Sequence, residues 1–405
     1  MSISQLARSL HESATLRMNE RAKIMRERGD ALIHLGSGEP KSKVPFDAIL
    51  NASSKLVSAN VKYTEVDGIP SLKKAIVRYT EENYNKIVGP ENIIVSNGAK
   101  QSLSILLQSI LNEQEEVILL SPYWVSYPEL VKIANGIPII VTPEDGGYHP
   151  RIQDIDMAVG RYTKAVIVNS PCNPSGLIFS RDFIAEIVNY CERKGIYLIM
   201  DDIYHKLIFN GKSFISCYDF AKDQSNNSKL IVVNGVSKLY GMTGFRVGWV
   251  IANTHIVEAM KVIQSHVTSC PSVVVQAAAA GALTGIQSGV ESLRLTLENN
   301  RNVMITELKS FDGVKVTKPD GTFYCFPDFS AYNKNSAELS EFLLRKVMVV
   351  TVPGKEFGMD GHLRLSYCGT IKDIKEGIER IKWAIDPNSP NEIYIGDRKL
   401  VRDWL

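Results

Sequence analysis

Through the middle of the chain, short apolar runs alternate with segments whose apolar residues recur every three to four positions. KAVIVNSP (164–171), YLIMDD (197–202) and LIVVNGVSK (230–238) read as strands. Between the first two, RDFIAEIVNYCERKG sets Phe183, Ile184, Ile187, Val188 and Cys191 at helical spacing, with Ser180 as N-cap and Gly195 as stop. Strands alternating with helices predict βαβ units and a mostly parallel sheet. An earlier unit, IIVSNGAKQSLSILLQSIL, passes from a strand through a small-residue turn into a helix with Leu103, Leu106, Leu107 and Ile110 on one face. Gly98 and Ala99 stand at that helix start, where free N–H groups and the helix dipole favour an anion.

The three strands end in polar residues, Asn169, Asp201 and Asn234. Ligands of open α/β sheets lie outside the carboxyl ends of the strands, so these ends predict a site. The C-terminal third has a different texture. Helical patterns near 290–310, 336–347 and 371–384 alternate with the β-like pieces GTFYCF and HLRLSY. The expected organisation is a large domain over 46–287 and a smaller α+β domain from 1–45 and 288–405. The last stretch, DPNSPNEIYIGDRKLVRDWL, receives no role.

Composition narrows the function classes. The 405 residues are 44% hydrophobic and 22% charged, and a net charge of +2 gives no basic patch for nucleic acid or an anionic membrane. The six cysteines are scattered without a CxxC pair, as expected of reduced thiols rather than a disulfide framework or metal site. The polar N-terminus lacks the apolar core of a signal peptide, and the run VVVQAAAAGALTGI is too short to span a bilayer. A soluble cytoplasmic protein is expected.

The candidate chemistry lies in SKLYGMTGFRVGW (237–249), just past a strand end, with one lysine, Lys238, and one arginine, Arg246, among glycines. A lysine, an arginine, a strand-end carboxylate and a helix N-terminus together suit pyridoxal phosphate. Its aldehyde takes an amine, its phosphate takes N–H groups and a guanidinium, and its ring nitrogen takes an acid such as Asp201. This run resembles the lysine signature of class I/II aminotransferases, the aspartate aminotransferase-like branch of fold type I pyridoxal-phosphate enzymes. The resemblance extends through HLGSGEP (34–40), YTEVDGIPSL (63–72), SNGAKQSL, SPYWVSYPE, VNSPCNPSG, DDIYHKL and HLRLSY (362–367), nearly the whole chain.

The resemblance implies an α/β fold with a mostly parallel seven-stranded sheet sandwiched by helices, plus the smaller α+β domain. It makes Lys238 the Schiff-base lysine and proton-transfer base, Arg246 the phosphate arginine and Asp201 the partner of the pyridine nitrogen. Tyr204 and Asn173 bind the phenolic oxygen, Trp124 stacks on the ring, and Gly98, Ala99 and Lys100 line the phosphate turn. Arg364 and the backbone of Gly38 take the substrate α-carboxylate, and Tyr63 reaches the phosphate of a neighbouring subunit, which implies a homodimer.

The implied reaction is reversible transfer of an amino group from an L-amino acid to a 2-oxo acid. Within this branch a lysine at the position of Lys100 goes with a distal carboxylate, which favours aspartate and glutamate. Two departures bear on that choice: His11 and Glu12 precede Ser-Ala-Thr, and GEPKSKVP replaces the common GEPDF…TP stretch. Aromatic or neutral donors and prephenate stay open, as does a C–S β-lyase. A non-catalytic pyridoxal-phosphate module of a transcription regulator would carry an added DNA-binding domain, and only 35 residues precede GSGEP.

Overall fold

The apolar runs become strands of one seven-stranded sheet in the computed structural model, which describes residues 3–12, 14–144, 146–222, 227–395 and 398–402. In chain order these are Ile93–Ser96 (β1), Glu116–Leu120 (β2), Ile137–Val141 (β3), Thr163–Asn169 (β4), Tyr197–Asp201 (β5), Leu230–Gly235 (β6) and Gly248–Ile251 (β7). Their order in the sheet is β1-β7-β6-β5-β4-β2-β3. Every pairing is parallel except those of β7, which is antiparallel to both β6 and β1. Two reversals cancel, so β1 runs in the direction of β6. The carboxyl ends of β1, β2, β4, β5 and β6 and the start of β7 therefore share one rim.

The central strands are apolar because both faces are covered, whereas the edge strand β3 leaves Ile137 and Ile140 exposed. Val166, Val168, Leu198, Met200 and Val232 pack into one helix layer, while Ala165, Ile167, Ile199, Ile231 and Val233 pack into the other. Full burial of each Val, Ile or Leu stabilises the fold by roughly 1.5–3 kcal/mol. Helix Arg181–Lys194 has the predicted ends: the Ser180 side chain accepts from the Phe183 N–H at 3.1 Å, and Gly195 closes it at φ 67°. Helix Ala99–Ile110 buries Leu103, Leu106, Leu107 and Ile110 as its periodicity requires.

Beyond the sheet, helices Ser288–Leu308, Ser336–Val347 and Ile371–Ile385 match the three C-terminal patterns. With them stands a three-stranded antiparallel sheet of Tyr324–Cys325 (β8), Val352–Pro353 (β9) and Leu363–Ser366 (β10), in the order β9-β10-β8. Ile33–His34 pairs in parallel with Val349–Val350, so the segment from Leu35 to Pro40 leaves this pairing towards the rim. The tail forms an antiparallel hairpin, Glu392–Ile395 with Arg398–Val401, next to Trp383, whose indole N–H donates to Pro390 O at 2.7 Å. Residues 396, 397 and 403–405 of that tail, and Ser13 of the HESAT stretch, lie outside the described residues.

No single helix among the described residues is long and apolar enough to cross a membrane. All six cysteines are free thiols. No group of three or more His, Cys, Asp or Glu able to hold a metal occurs among the described residues.

Candidate active site

Lys238 follows β6 by three residues, and its side chain turns into a cavity of about 360 Å³. Its amine donates to the Gly38 carbonyl at 2.8 Å, which joins the sheet rim to the N-terminal segment. Burial is the main reason its pKa falls to about 8, and the guanidinium groups of Arg364 and Arg246 push in the same direction. An amine near neutrality is a usable nucleophile and base; one at the ordinary lysine value is not.

One end of the cavity gathers groups that suit an anion. Gly98 has φ 88°, and a Cβ there would stand 2.3 Å from Arg246 Nη2, so only glycine lets the turn meet that guanidinium. Gly248, which opens β7, is required for a related reason: a Cβ would lie 2.3 Å from the Ala99 nitrogen. The N-terminus of helix Ala99–Ile110 therefore sits against the sheet, with its first N–H groups free of intrahelical partners. Arg246 is held by the Thr243 carbonyl at 2.9 Å and Ser237 Oγ at 3.4 Å. Lys100 lies with its ammonium 5.0 Å from the Trp124 ring, and burial, then Arg246, lowers its pKa.

The opposite wall carries the acid. Asp201 ends β5 with its carboxylate accepting from Tyr127 Oη at 2.7 Å and from the Ile203 N–H at 3.3 Å. Burial raises its pKa, and the Tyr127 hydrogen bond, the Ile203 N–H and the Lys238 charge oppose that rise. Asn169, in register with Asp201 on β4, donates to the Asp201 carbonyl at 2.7 Å and accepts from the Asn173 N–H at 2.8 Å. Tyr204 is buried edge-on to Tyr324, and burial drives its pKa well above the usual phenol value.

Arg364 on β10 alternates with Leu363 and Leu365, a pattern that alone suggests a solvent-facing side chain. It is instead 1% exposed. Its guanidinium donates to Asn173 Oδ1 at 3.1 Å and to the Gly36 carbonyl at 3.0 Å, and it lies 4.2 Å from the Tyr324 ring centre. Its Nε is buried without a hydrogen-bond partner. A buried cation with donors to spare, in a cavity that also holds a lysine, has the chemistry to receive a carboxylate.

Of the residues singled out from sequence, Gly38, Ala99, Lys100, Trp124, Asn173, Asp201, Tyr204, Lys238, Arg246 and Arg364 all line this cavity. Gly98 backs it through the Arg246 contact. Tyr63 does not join them: it is 90% exposed and lines a separate depression with Lys62 and Thr64.

The family model of aminotransferase class I and II matches residues 30–381. The chain belongs to the class I and II aminotransferases. It is 37% identical to an aspartate aminotransferase of Bacillus sp. (strain YM-2) over 94% of this chain and 98% of that one. It is 36% identical to a probable aspartate/prephenate aminotransferase of Aquifex aeolicus, over 93% and 97%. The Thermus thermophilus aspartate aminotransferase structure with maleate superposes with a TM-score of 0.89 at 32% identity, covering 94% of this chain and 98% of that one. These matches place this aminotransferase in the aspartate aminotransferase-like, fold type I branch.

Several groups at the aminotransferase cavity carried no sequence signal of their own. Tyr127 lies inside SPYWVSYPE, three residues past Trp124 and at the first position of a short helix. Asn169 was visible only as a polar strand end. Tyr324, Glu39, Thr15 and Leu16 also line the cavity and come from segments far apart in sequence. His11 turns away from it: its backbone N–H donates to Glu129 at 3.2 Å, and neither His11 nor Glu12 lines the cavity.

Proposed function

We propose that this aminotransferase binds pyridoxal phosphate and transfers the amino group of aspartate or glutamate to a 2-oxo acid. The observation carrying this reading is the convergence on one cavity of a low-pKa lysine, an anion-binding helix start with its arginine, a buried carboxylate and a buried arginine with unused donors. The residues fit the cofactor by test of the cradle: at Gly98 and Gly248 a Cβ would meet Arg246 or the Ala99 nitrogen, so the small residues keep the phosphate-binding groups together.

In this reading Lys238 is the covalent anchor and the base that moves the proton at the substrate α-carbon. Arg246, Ser237 and the N–H groups of Ala99 and Lys100 take the phosphate. Asp201 would partner the ring nitrogen, Tyr204 and Asn173 would hydrogen-bond the phenolic oxygen, and Trp124 would stack on the ring, while Arg364, held by Asn173 and Gly36, would grip the α-carboxylate. When bound, pyridoxal phosphate supplies an aldehyde for amine exchange and an electron-withdrawing ring. The walls exclude water from Lys238, which keeps its amine near neutrality (pKa about 8) and available.

Lys100 lines the same cavity and makes no ion pair with a carboxylate among the described residues, which supports a dicarboxylic substrate. The aspartate aminotransferase relatives and the maleate-containing Thermus thermophilus structure support the same class. The division into 46–287 and 1–45 with 288–405 is part of this proposal, supported by the pairing of Ile33–His34 with Val349–Val350. So is a cytoplasmic homodimer. Helix Phe46–Val57 leaves Phe46, Leu56 and Val57 exposed, and its Lys55 lines the same depression as the exposed Tyr63, a face suited to a second copy whose phosphate turn Tyr63 would reach.

The test is an absorbance titration of cofactor-loaded enzyme with L-aspartate and no oxo acid. Loss of the visible band with stoichiometric oxaloacetate is expected. Release of ammonium instead would identify a lyase, and a band untouched by aspartate but lost with aromatic or neutral amino acids would refute the dicarboxylate assignment.

A further inference from the structure

Asp201 is fixed by donors from two elements. The Ile203 N–H, two residues along its own chain, reaches one oxygen at 3.3 Å, which is long for such a bond. The other oxygen receives the Tyr127 hydroxyl at 2.7 Å from helix Tyr127–Ile133. Tyr127 is 3% exposed, and the edge of its ring meets Trp124, with centroids 5.3 Å apart at 87°. One side chain thus holds both the carboxylate at the cavity wall and the aromatic that flanks it.

We propose that Tyr127 is a positioning residue that keeps Asp201 anionic and aimed, and so sets the charge of the cofactor's ring nitrogen. The proposal rests on the pyridoxal-phosphate reading above. A buried carboxylate stays ionised only if donors replace the water it has lost. Here the short bond from Tyr127 is the strong donor, and the tyrosine itself stays protonated because burial raises its pKa far above the usual value. Without it the carboxyl holds its own proton more tightly, and the neutral acid offers the ring nitrogen no negative charge.

The other titratable groups around this pair are Lys238, facing Asp201, Cys172 and Tyr204, beside Tyr127, and Asp202, behind. Burial raises the pKa of Cys172, Tyr204 and Asp202, which disfavours the charged form of each. The charge balance of the wall therefore lies between Asp201 and Lys238, and the Tyr127 hydroxyl tips it.

The experiment uses Tyr127→Phe, which keeps the ring against Trp124 and removes only the hydroxyl. Purified variant and wild type are saturated with pyridoxal phosphate and their visible absorbance is titrated with pH. A positively charged ring nitrogen lowers the midpoint of that band. Loss of a hydrogen bond to a charged group corresponds to about one pH unit, so the midpoint should rise by about that much. Turnover number should fall about tenfold or more, with KM for aspartate changed less than about threefold. A merely structural role would lower the melting temperature or cofactor affinity and leave the midpoint of the loaded enzyme in place.

A fully loaded Tyr127→Phe with the wild-type midpoint overturns the proposal. The second variant, Tyr127→His, retains a donor on a smaller ring. Its midpoint should lie nearer wild type than that of Tyr127→Phe, and one displaced as far overturns the hydrogen bond as the operative contact. If Tyr127→Phe yields no folded protein, Tyr127→Leu, which also lacks a donor, takes its place: a midpoint raised by about one unit supports the proposal, and the wild-type midpoint refutes it. A wild-type enzyme that develops no visible band with pyridoxal phosphate would instead refute the cofactor reading on which all of this stands.

Discussion

Arg364→Lys is the perturbation whose cost can be counted from the contacts. A guanidinium has five N–H donors, and the fold already spends two, one on Asn173 Oδ1 and one on the Gly36 carbonyl. Three remain, including the buried Nε, enough to hold both oxygens of a carboxylate at once. A lysine has three donors in all. With the same two acceptors satisfied, one is left, and the two-point grip becomes a single contact. Losing one charge-assisted hydrogen bond costs about 1.5–3 kcal/mol, or about 10- to 150-fold in kcat/KM. The guanidinium's place over the Tyr324 ring, 4.2 Å from its centre, is lost as well. The assay is steady-state kinetics with L-aspartate and 2-oxoglutarate on enzyme matched for cofactor content. A variant within about threefold of wild type in kcat/KM would show that the carboxylate is bound elsewhere.

Other outcomes follow from the same geometry. Lys238→Ala should abolish both turnover and the covalently linked absorbance band while leaving the thermal transition of the cofactor-free protein in place; residual turnover at the wild-type level would remove Lys238 from the mechanism. Because its pKa is lowered to about 8, the neutral amine of cofactor-free enzyme accumulates as pH rises through 8. The rate of cofactor capture, followed by stopped-flow absorbance, should therefore rise to a plateau above that pH, and a midpoint near the ordinary lysine value of 10.5 would contradict the burial argument. Gly98→Ala combines a left-handed backbone, costing about 1–2 kcal/mol for a residue with a Cβ, with a collision against Arg246. Cofactor affinity measured by fluorescence titration should weaken about tenfold or more, and an unchanged affinity would mean that the turn does not carry the phosphate.

Local rules made much of the fold legible. Ser180 and Gly195 bracket their helix because an Ncap hydroxyl and a left-handed glycine satisfy helix-end groups within a few residues of sequence. The alternation of β4, β5 and β6 with helical patterns announced a mostly parallel sheet, as their parallel pairing bears out. The place of β7 was not legible, since its antiparallel pairing with both β1 and β6 depends on where the chain returns after Arg246. That insertion is what brings the Gly98 turn beside Arg246 and Lys238.

The site divides in the same way. Lys238, Arg246, Asp201 and Gly98 could be named from sequence because each sits in a short motif whose residue type the chemistry demands. The environment of Arg364 could not, because its strand pattern is that of a half-exposed sheet and its burial comes from Gly36, Asn173 and Tyr324, all more than thirty residues away in sequence. Nor could the role of Tyr127, whose hydroxyl acquires a purpose only when β5 carries Asp201 to within 2.7 Å of it. Sequence alone determined which groups this aminotransferase possesses and which local elements carry them, since propensity, capping and motif spacing act over a few residues. The tertiary structure decided which groups face one another and how far their charges are stripped of water, since burial and pKa depend on neighbours that the chain brings together only by folding.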